Sequence, residues 1–425
     1  MPDGAATAHL YRPKLITTLG EGYDRERLGH DLIAGLTVSV VALPLSLAIA
    51  VASGVPPERG VITAIVGGLM VSALGGSRFQ IGGPAGAFIV LVAACVANFG
   101  LGGLLTAVLM SGVMLTIFGA LRLGSLVRHM PHAVTVGFTA AIATTILASQ
   151  LKDLGGLHLS AAEPGPLIPK LAALGHALPT VNLFAVAIGG LSALLIGALR
   201  RWRPSWPGML IAVGLAAFTA AAFHVPVETI GSRFGGISGA MPAPALPDLS
   251  VTRMMQLLPT ALSFTLLGAI ESLLSAKVAD GMTGRKHRSN MELVAQGLAN
   301  IASPLFGGIC VTGTIARTAT NIRAGARTPI SGILHSAFLL VFMLVAAPLA
   351  SFVPVAALAG VLVVVAWNMA EKGELLRLMR DWRSAAVLLA TFGVTVLKDL
   401  SFGIGAGCLA AFLLWVLRGP MEEEG

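Results

Sequence analysis

Fourteen apolar stretches set the limits on what this 425-residue chain can fold into. Eleven run close to membrane-spanning length, from 32–52 to 402–418, and three, at 84–98, 291–305 and 313–325, are shorter or broken. About 20 apolar residues cross a bilayer as a helix. Hydrocarbon offers backbone N–H and C=O groups no partner, so such a run must satisfy its hydrogen bonds internally. The composition agrees: 55% of residues are hydrophobic and 11% charged, against about a quarter charged in soluble domains. The reading is an all-α polytopic membrane protein, with the lipid bilayer as its first partner.

The basic residues fall in short gaps between apolar runs rather than on one soluble face, so the net charge of +8 does not point to nucleic acid. Cys95, Cys310 and Cys408 lie far apart inside apolar segments, which excludes a disulfide framework or a CxxC metal pair. Residues 1–30 carry no apolar h-region, so a cleavable signal peptide is not expected. No Walker A, GxSxG or HExxH motif occurs, so an enzyme reading lacks its residues and no cofactor is implied.

The proline-rich stretch from Val225 to Leu249 divides the fourteen segments seven and seven. The organisation expected is a cytoplasmic N-terminal segment over 1–30, a first seven-segment repeat over 31–224, an extracellular or periplasmic connection over 225–250, a second repeat over 251–418 and a cytoplasmic tail over 419–425. With the N-terminus inside, about 22 of the 28 Lys and Arg residues fall on the inner side and about 6 on the outer. That bias obeys the positive-inside rule and puts both termini in the cytoplasm of a bacterial-type plasma (inner) membrane. The charged, amphipathic stretch from Glu371 to Arg383 reads as an interfacial helix on the inner face.

Two features mark a site. Gly82-Gly83-Pro84-Ala85-Gly86 opens the third segment, and Gly307-Gly308 with Gly313 opens the tenth, the corresponding place in the second half. Matched Gly/Pro interruptions in two inverted repeats point to a transporter binding site. Half-helices starting at mid-membrane leave their first N–H groups free and concentrate about half a positive charge there, so Ala85, Gly86, Ala87, Phe88, Thr312, Gly313, Thr314 and Ile315 are the candidate residues for binding a small anion. Arg317 lies about one turn further on and adds a full charge; a salt bridge or an interface anchor is its structural alternative.

The second feature is Glu271, a carboxylate within the apolar run from Leu257 to Ala276. An intramembrane acid is costly and functional by default. Helical spacing puts Gly268, Glu271 and Ser275 on one stripe, where a proton or Na⁺ could sit between Glu271 and Ser275. His335 reads as a hydrogen-bonded core histidine, and His129 and His132 as solvated loop residues.

The string Asn290-Met291-Glu292-Leu293, Gln296-Gly297, Asn300, Pro304-Leu305-Phe306-Gly307-Gly308, Thr312-Gly313 and Ala316-Arg317-Thr318 closely resembles the signature of the SulP (sulfate permease) family of anion transporters. Val41-Ala42-Leu43-Pro44, Ser53-Gly54-Val55-Pro56-Pro57 and Leu266 to Ser275 extend the resemblance over roughly 30–418. It implies a 7+7 inverted repeat of fourteen helices, with a core of segments 1–4 and 8–11 and a gate of 5–7 and 12–14. It also implies that the half-helices of segments 3 and 10 meet at mid-membrane, with Ser46 of the first helix beside the substrate and cation coupling at the position of Glu271.

Three departures stand out. Leu45 replaces a common glutamine, Cys310 replaces a common proline and so suggests a softer break, and the chain stops seven residues after Arg418, where relatives continue into a cytoplasmic STAS domain. The function expected is secondary active transport of sulfate, bicarbonate or a dicarboxylate, as H⁺- or Na⁺-coupled symport by an elevator-like motion, with a homodimer as the assembly. A nucleobase transporter of the same fold and an uncoupled anion exchanger or channel are the alternatives.

Overall fold

A computed structural model describes residues 11–125, 131–160, 163–164, 167–204, 206–398 and 400–418. The loop residues Arg128 and His129 and the tail 419–425 lie outside the described residues. The first half comprises α1 (Arg25–Ala52), α2 (Pro57–Leu74), the helix Ile89–Ala120, α5 (His132–Gly155), α6 (Leu183–Trp202) and α7 (Gly208–Ala222). Gly100, at φ 68° and ψ −179°, breaks Ile89–Ala120 into α3 (89–99) and α4 (101–120). A positive φ combined with extended ψ is open in practice only to glycine, so this one residue turns a single apolar run into two crossings.

The second half comprises α8 (Val251–Thr283), α9 (Ser289–Leu305), α10 (Ile315–Arg323), α11 (Ile330–Ala350), α12 (Val355–Met369), α13 (Trp382–Leu397) and α14 (Leu400–Arg418). Short helices at Lys14–Gly20, Leu167–Ala177, Ile230–Phe234 and Lys372–Leu378 lie between or before them. The last of these has no buried residue, and Lys372 Nζ sits 3.0 Å from the centre of the Trp367 ring.

Local chemistry sets the helix ends. Asp24 caps α1 by accepting from the Arg27 N–H, Asn182 caps α6 through Phe184 and Ala185, and Asp381 caps α13 through Arg383 and Ser384. Each carboxylate or amide satisfies a donor that the first turn leaves free.

Much of the packing repeats itself when a segment is exchanged for the one seven places on. α1 packs on α11 as α8 does on α4, α2 on α11 as α9 on α4, α1 on α7 as α8 on α14, α5 on α13 as α12 on α6, and α6 on α7 as α13 on α14. α2–α9 and α5–α12 are the pairs that map onto themselves. Segments 1–4 and 8–11 form one body, and 5–7 and 12–14 the other.

The α4–α9 seam is built on small residues. A Cβ on Gly112 would meet the backbone of Gly297 and Asn300 at 2.7 Å, and one on Gly119 would meet Asn290 and Val294 at the same distance. Helices approach this closely in hydrocarbon only where small residues line the contact.

Candidate functional site

The interrupted segments 3 and 10 cross in extended form. β1 (Gly82–Gly83) pairs antiparallel with β2 (Thr312–Gly313), Gly82 opposite Gly313 and Gly83 opposite Thr312. Behind β1 a short 3₁₀ turn, Gly86–Phe88, leads into α3; behind β2, Thr314 leads into α10. The two helix starts therefore meet at mid-membrane from opposite halves. Neither has a side-chain cap. Helix geometry leaves the N–H groups of Ile315, Ala316 and Arg317 without intrahelical acceptors.

Other candidate donors are already engaged. Phe88 N–H donates to the Ala85 carbonyl, and its ring packs on Phe264 with centroids 5.9 Å apart. Thr314 N–H donates to the Ile81 carbonyl at 3.0 Å, as does its hydroxyl at 3.2 Å. Thr312 Oγ1 lies 2.9 Å from Ser272 Oγ, and Gly313 N–H donates to that same hydroxyl at 3.3 Å. Thr312 and Gly313 thus build the crossing, while Gly86, Ala87 and Ile315 carry its forward amides.

Arg317 lies behind β1 and is 0% exposed. Its Nη2 donates to Ser46 Oγ at 3.0 Å and to the Pro84 carbonyl at 3.3 Å, while Nε and Nη1 have no partner among the described residues. No carboxylate pairs with it among the described residues, so the salt bridge and the interface anchor are both replaced by a buried, uncompensated cation. A Cβ on Gly83 would run into Nη1, which explains the glycine at that point of β1. The Ser46 hydroxyl donates to the Ala42 carbonyl at 2.7 Å, which leaves its lone pairs to accept from Arg317.

Glu271 is 6% exposed on α8 and accepts no hydrogen bond from the described residues. The like charge of Glu371, just beyond α12, acts on it. Ser275, one turn on, donates to Thr318 Oγ1 at 3.3 Å, and Thr318 Oγ1 also accepts the Ile81 N–H at 3.1 Å. The stripe carrying Glu271 and Ser275 is thereby tied to both interrupted segments.

Sequence reasoning left several contributors without a role. Ser272, beside Glu271, bonds both residues of β2. Gln80 donates to the Ser272 carbonyl at 3.1 Å. Asn300 clamps Val311 by donating to its carbonyl at 2.7 Å and accepting its N–H at 2.8 Å; Thr63 accepts from Ile309 N–H at 2.7 Å. The break at Cys310 is therefore held firmly by side chains rather than softened by the missing proline. Glu292, wholly buried, accepts from Gly76 N–H at 2.9 Å and Ser77 N–H at 3.0 Å and holds the turn that enters β1. Polar residues at helical spacing in α9 (Glu292, Gln296, Asn300, Ser303) were the available signal. His335 is also fully buried, but both its ring nitrogens lack a partner among the described residues, contrary to the hydrogen-bonded core histidine expected.

A model of the Sulfate permease family matches residues 28–391. The chain belongs to that family. The putative sulfate transporter YvdB of Bacillus subtilis is 44% identical over 402 residues, 94% of this chain and 75% of that protein. The bicarbonate transporter BicA of Picosynechococcus sp. is 33% identical over 91% of this chain and 70% of its own length. The solved transmembrane domain of a cyanobacterium bicarbonate transporter BicA matches with a TM-score of 0.80 at 31% identity, covering 91% of this chain and 98% of that one. SLC26A9, at 18% identity and a TM-score of 0.89 over 98% of this chain, shares the fold. Membership makes this a multi-pass membrane anion transporter rather than an enzyme.

Proposed function

We propose that this protein is a secondary active transporter of small inorganic or carboxylate anions, of the sulfate, bicarbonate or dicarboxylate class, driven by H⁺ or Na⁺ symport across a bacterial inner membrane. The observation that carries the reading is Arg317: a fully buried guanidinium with two nitrogens unpartnered and no carboxylate engaged among the described residues, set behind two uncapped helix starts. A buried charge costs several kcal/mol unless compensated, and an anion at the β1–β2 crossing supplies the compensation. Relatives described as sulfate and bicarbonate transporters support the substrate class.

Coupling falls to Glu271 with Ser275. A carboxylate and a hydroxyl one turn apart offer the hard oxygen atoms that a proton or Na⁺ prefers, and Thr318 links them to the half-helix starts. The anion and the cation then load the same body, segments 1–4 and 8–11, which moves as an elevator against segments 5–7 and 12–14. The repeats 31–224 and 251–418 carry this motion, with both termini cytoplasmic.

The test is uptake of labelled anions into proteoliposomes holding the purified chain, with imposed pH or Na⁺ gradients. Accumulation of at least one oxyanion that depends on one of those gradients is the expected result; uptake of nucleobase, or none of any anion, rejects the reading.

A further inference from the structure

On the gate side, the start of α3 is met by hydrocarbon. A methyl group placed on Gly86 would lie 3.3 Å from Ile146 Cδ1 of α5 and 3.7 Å from Met369 Sδ of α12. Ile146 is 0% exposed, and Ala85, Ala87, Ile142, Ala143, Leu362 and Ala366 join the same apolar cluster. The nearby hydroxyls of α5 donate to their own helix, Thr145 to the Ala141 carbonyl at 2.8 Å and Ser149 to the Thr145 carbonyl at 2.9 Å, with Ser149 Oγ also accepting from the buried Lys170 Nζ at 3.0 Å; the amide of Gln150 lies buried one turn beyond Ile146. One side of the crossing is thus lined by amide N–H groups and backed by the Arg317 cation, while the opposite side is a wall of aliphatic carbon and one thioether.

We propose that Ile146 and Met369 are specificity-determining residues that limit the anion at Gly86 to a compact oxyanion and exclude dicarboxylates. The inference rests on the reading of the β1–β2 crossing as the anion site. The amides of the crossing and the Arg317 cation lie on the core side, so an anion with one compact charged group satisfies its oxygens there and turns its remaining surface to the wall. The second carboxylate of a dicarboxylate would be pressed against Ile146 and Met369, whose own side chains carry no donor, and a charge desolvated without a partner is strongly disfavoured. The glycine at position 86 belongs to the same fit, since its missing methyl is the space nearest the wall.

The experiment compares labelled succinate with whichever of sulfate, nitrate and bicarbonate the wild type takes up fastest, as a ratio of kcat/KM in proteoliposomes. Ile146→Ala and Met369→Ala should each raise the succinate ratio by about tenfold or more, the scale on which a pocket discriminates one or two methylenes, and Ile146→Val should fall between. Gly86→Ala should depress uptake of the small anion, and adding Ile146→Ala to it should restore uptake by giving the added methyl room.

Unchanged ratios in monodisperse Ile146→Val and Met369→Ala protein, or wild-type succinate uptake equal to that of the small anion, would overturn the proposal. Arg317→Ala run in parallel separates the two levels. If it weakens uptake while the wall variants leave selectivity untouched, only the wall fails. If it has no effect, the anion site itself has been misplaced, and the assignment of the wall falls with it.

Discussion

At the scale of single residues, the decisive fact is how Arg317 and Glu271 are buried. Arg317 holds two of its contacts through one nitrogen and keeps the others free, so its charge is spent on the crossing rather than on a protein carboxylate. Arg317→Lys retains the charge, whereas Arg317→Ala removes it; the alanine variant should lose affinity for a divalent anion more than for a monovalent one, because the Coulomb term scales with the ligand's charge. Titration of purified protein with each anion at low ionic strength checks this, and equal affinities of alanine variant and wild type for the divalent anion count against it. Glu271→Gln keeps size and burial but can neither exchange a proton nor balance a cation. It should abolish accumulation driven by the coupling gradient while leaving anion binding measurable, and gradient-driven uptake at the wild-type level would remove Glu271 from coupling.

At the scale of elements, the site depends on two extended pieces that have little hydrogen bonding of their own. Four ladder residues cannot hold a crossing in hydrocarbon, and the surrounding helices supply the rest: Asn300 on Val311, Glu292 on Gly76 and Ser77, Ser272 on Thr312 and Gly313. Removing one clamp leaves buried backbone groups unpaired, at about 1–3 kcal/mol for each. Asn300→Ala should therefore lower the thermal midpoint of the detergent-solubilised protein and weaken anion binding together. Asn300→Asp, which still accepts from Val311 N–H but loses the donor, should be milder only where its carboxyl is protonated. An Asn300→Ala protein of wild-type midpoint and affinity would show that β2 holds its shape without the clamp.

At the scale of the whole molecule, sidedness is the property most open to direct test. The connection between the repeats lies at the end of α7 and the start of α8, and the α8–α9 turn lies at the other end of α8. Ser238 and Lys286 are both exposed and sit on these two sides. With the native cysteines replaced, a membrane-impermeant maleimide applied to whole cells or spheroplasts should label Ser238→Cys and spare Lys286→Cys until the membrane is permeabilised. The reverse pattern would invert the orientation that the distribution of Lys and Arg predicts.

Fourteen segments, their division at 225–249 and the two interrupted stretches were legible in the sequence because hydrocarbon imposes its rule segment by segment. A run of about 20 apolar residues is a helix there whatever its neighbours do, and a glycine-broken run has to be buried in protein. The residues at the crossing were legible as a set, but not their division of labour. Whether Thr314 and Phe88 offer a free N–H or spend it on Ile81 and Ala85 is settled by which strand lies alongside, a contact between positions more than 200 residues apart for Thr314. The same holds for Arg317: an arginine one turn into a half-helix looks alike in sequence whether it reaches a carboxylate, the interface or the back of β1. Only the packing of α1 against α10 brings Ser46 to it and leaves two of its nitrogens unused, because the partners of a buried charge are chosen by tertiary distance and not by spacing along the chain.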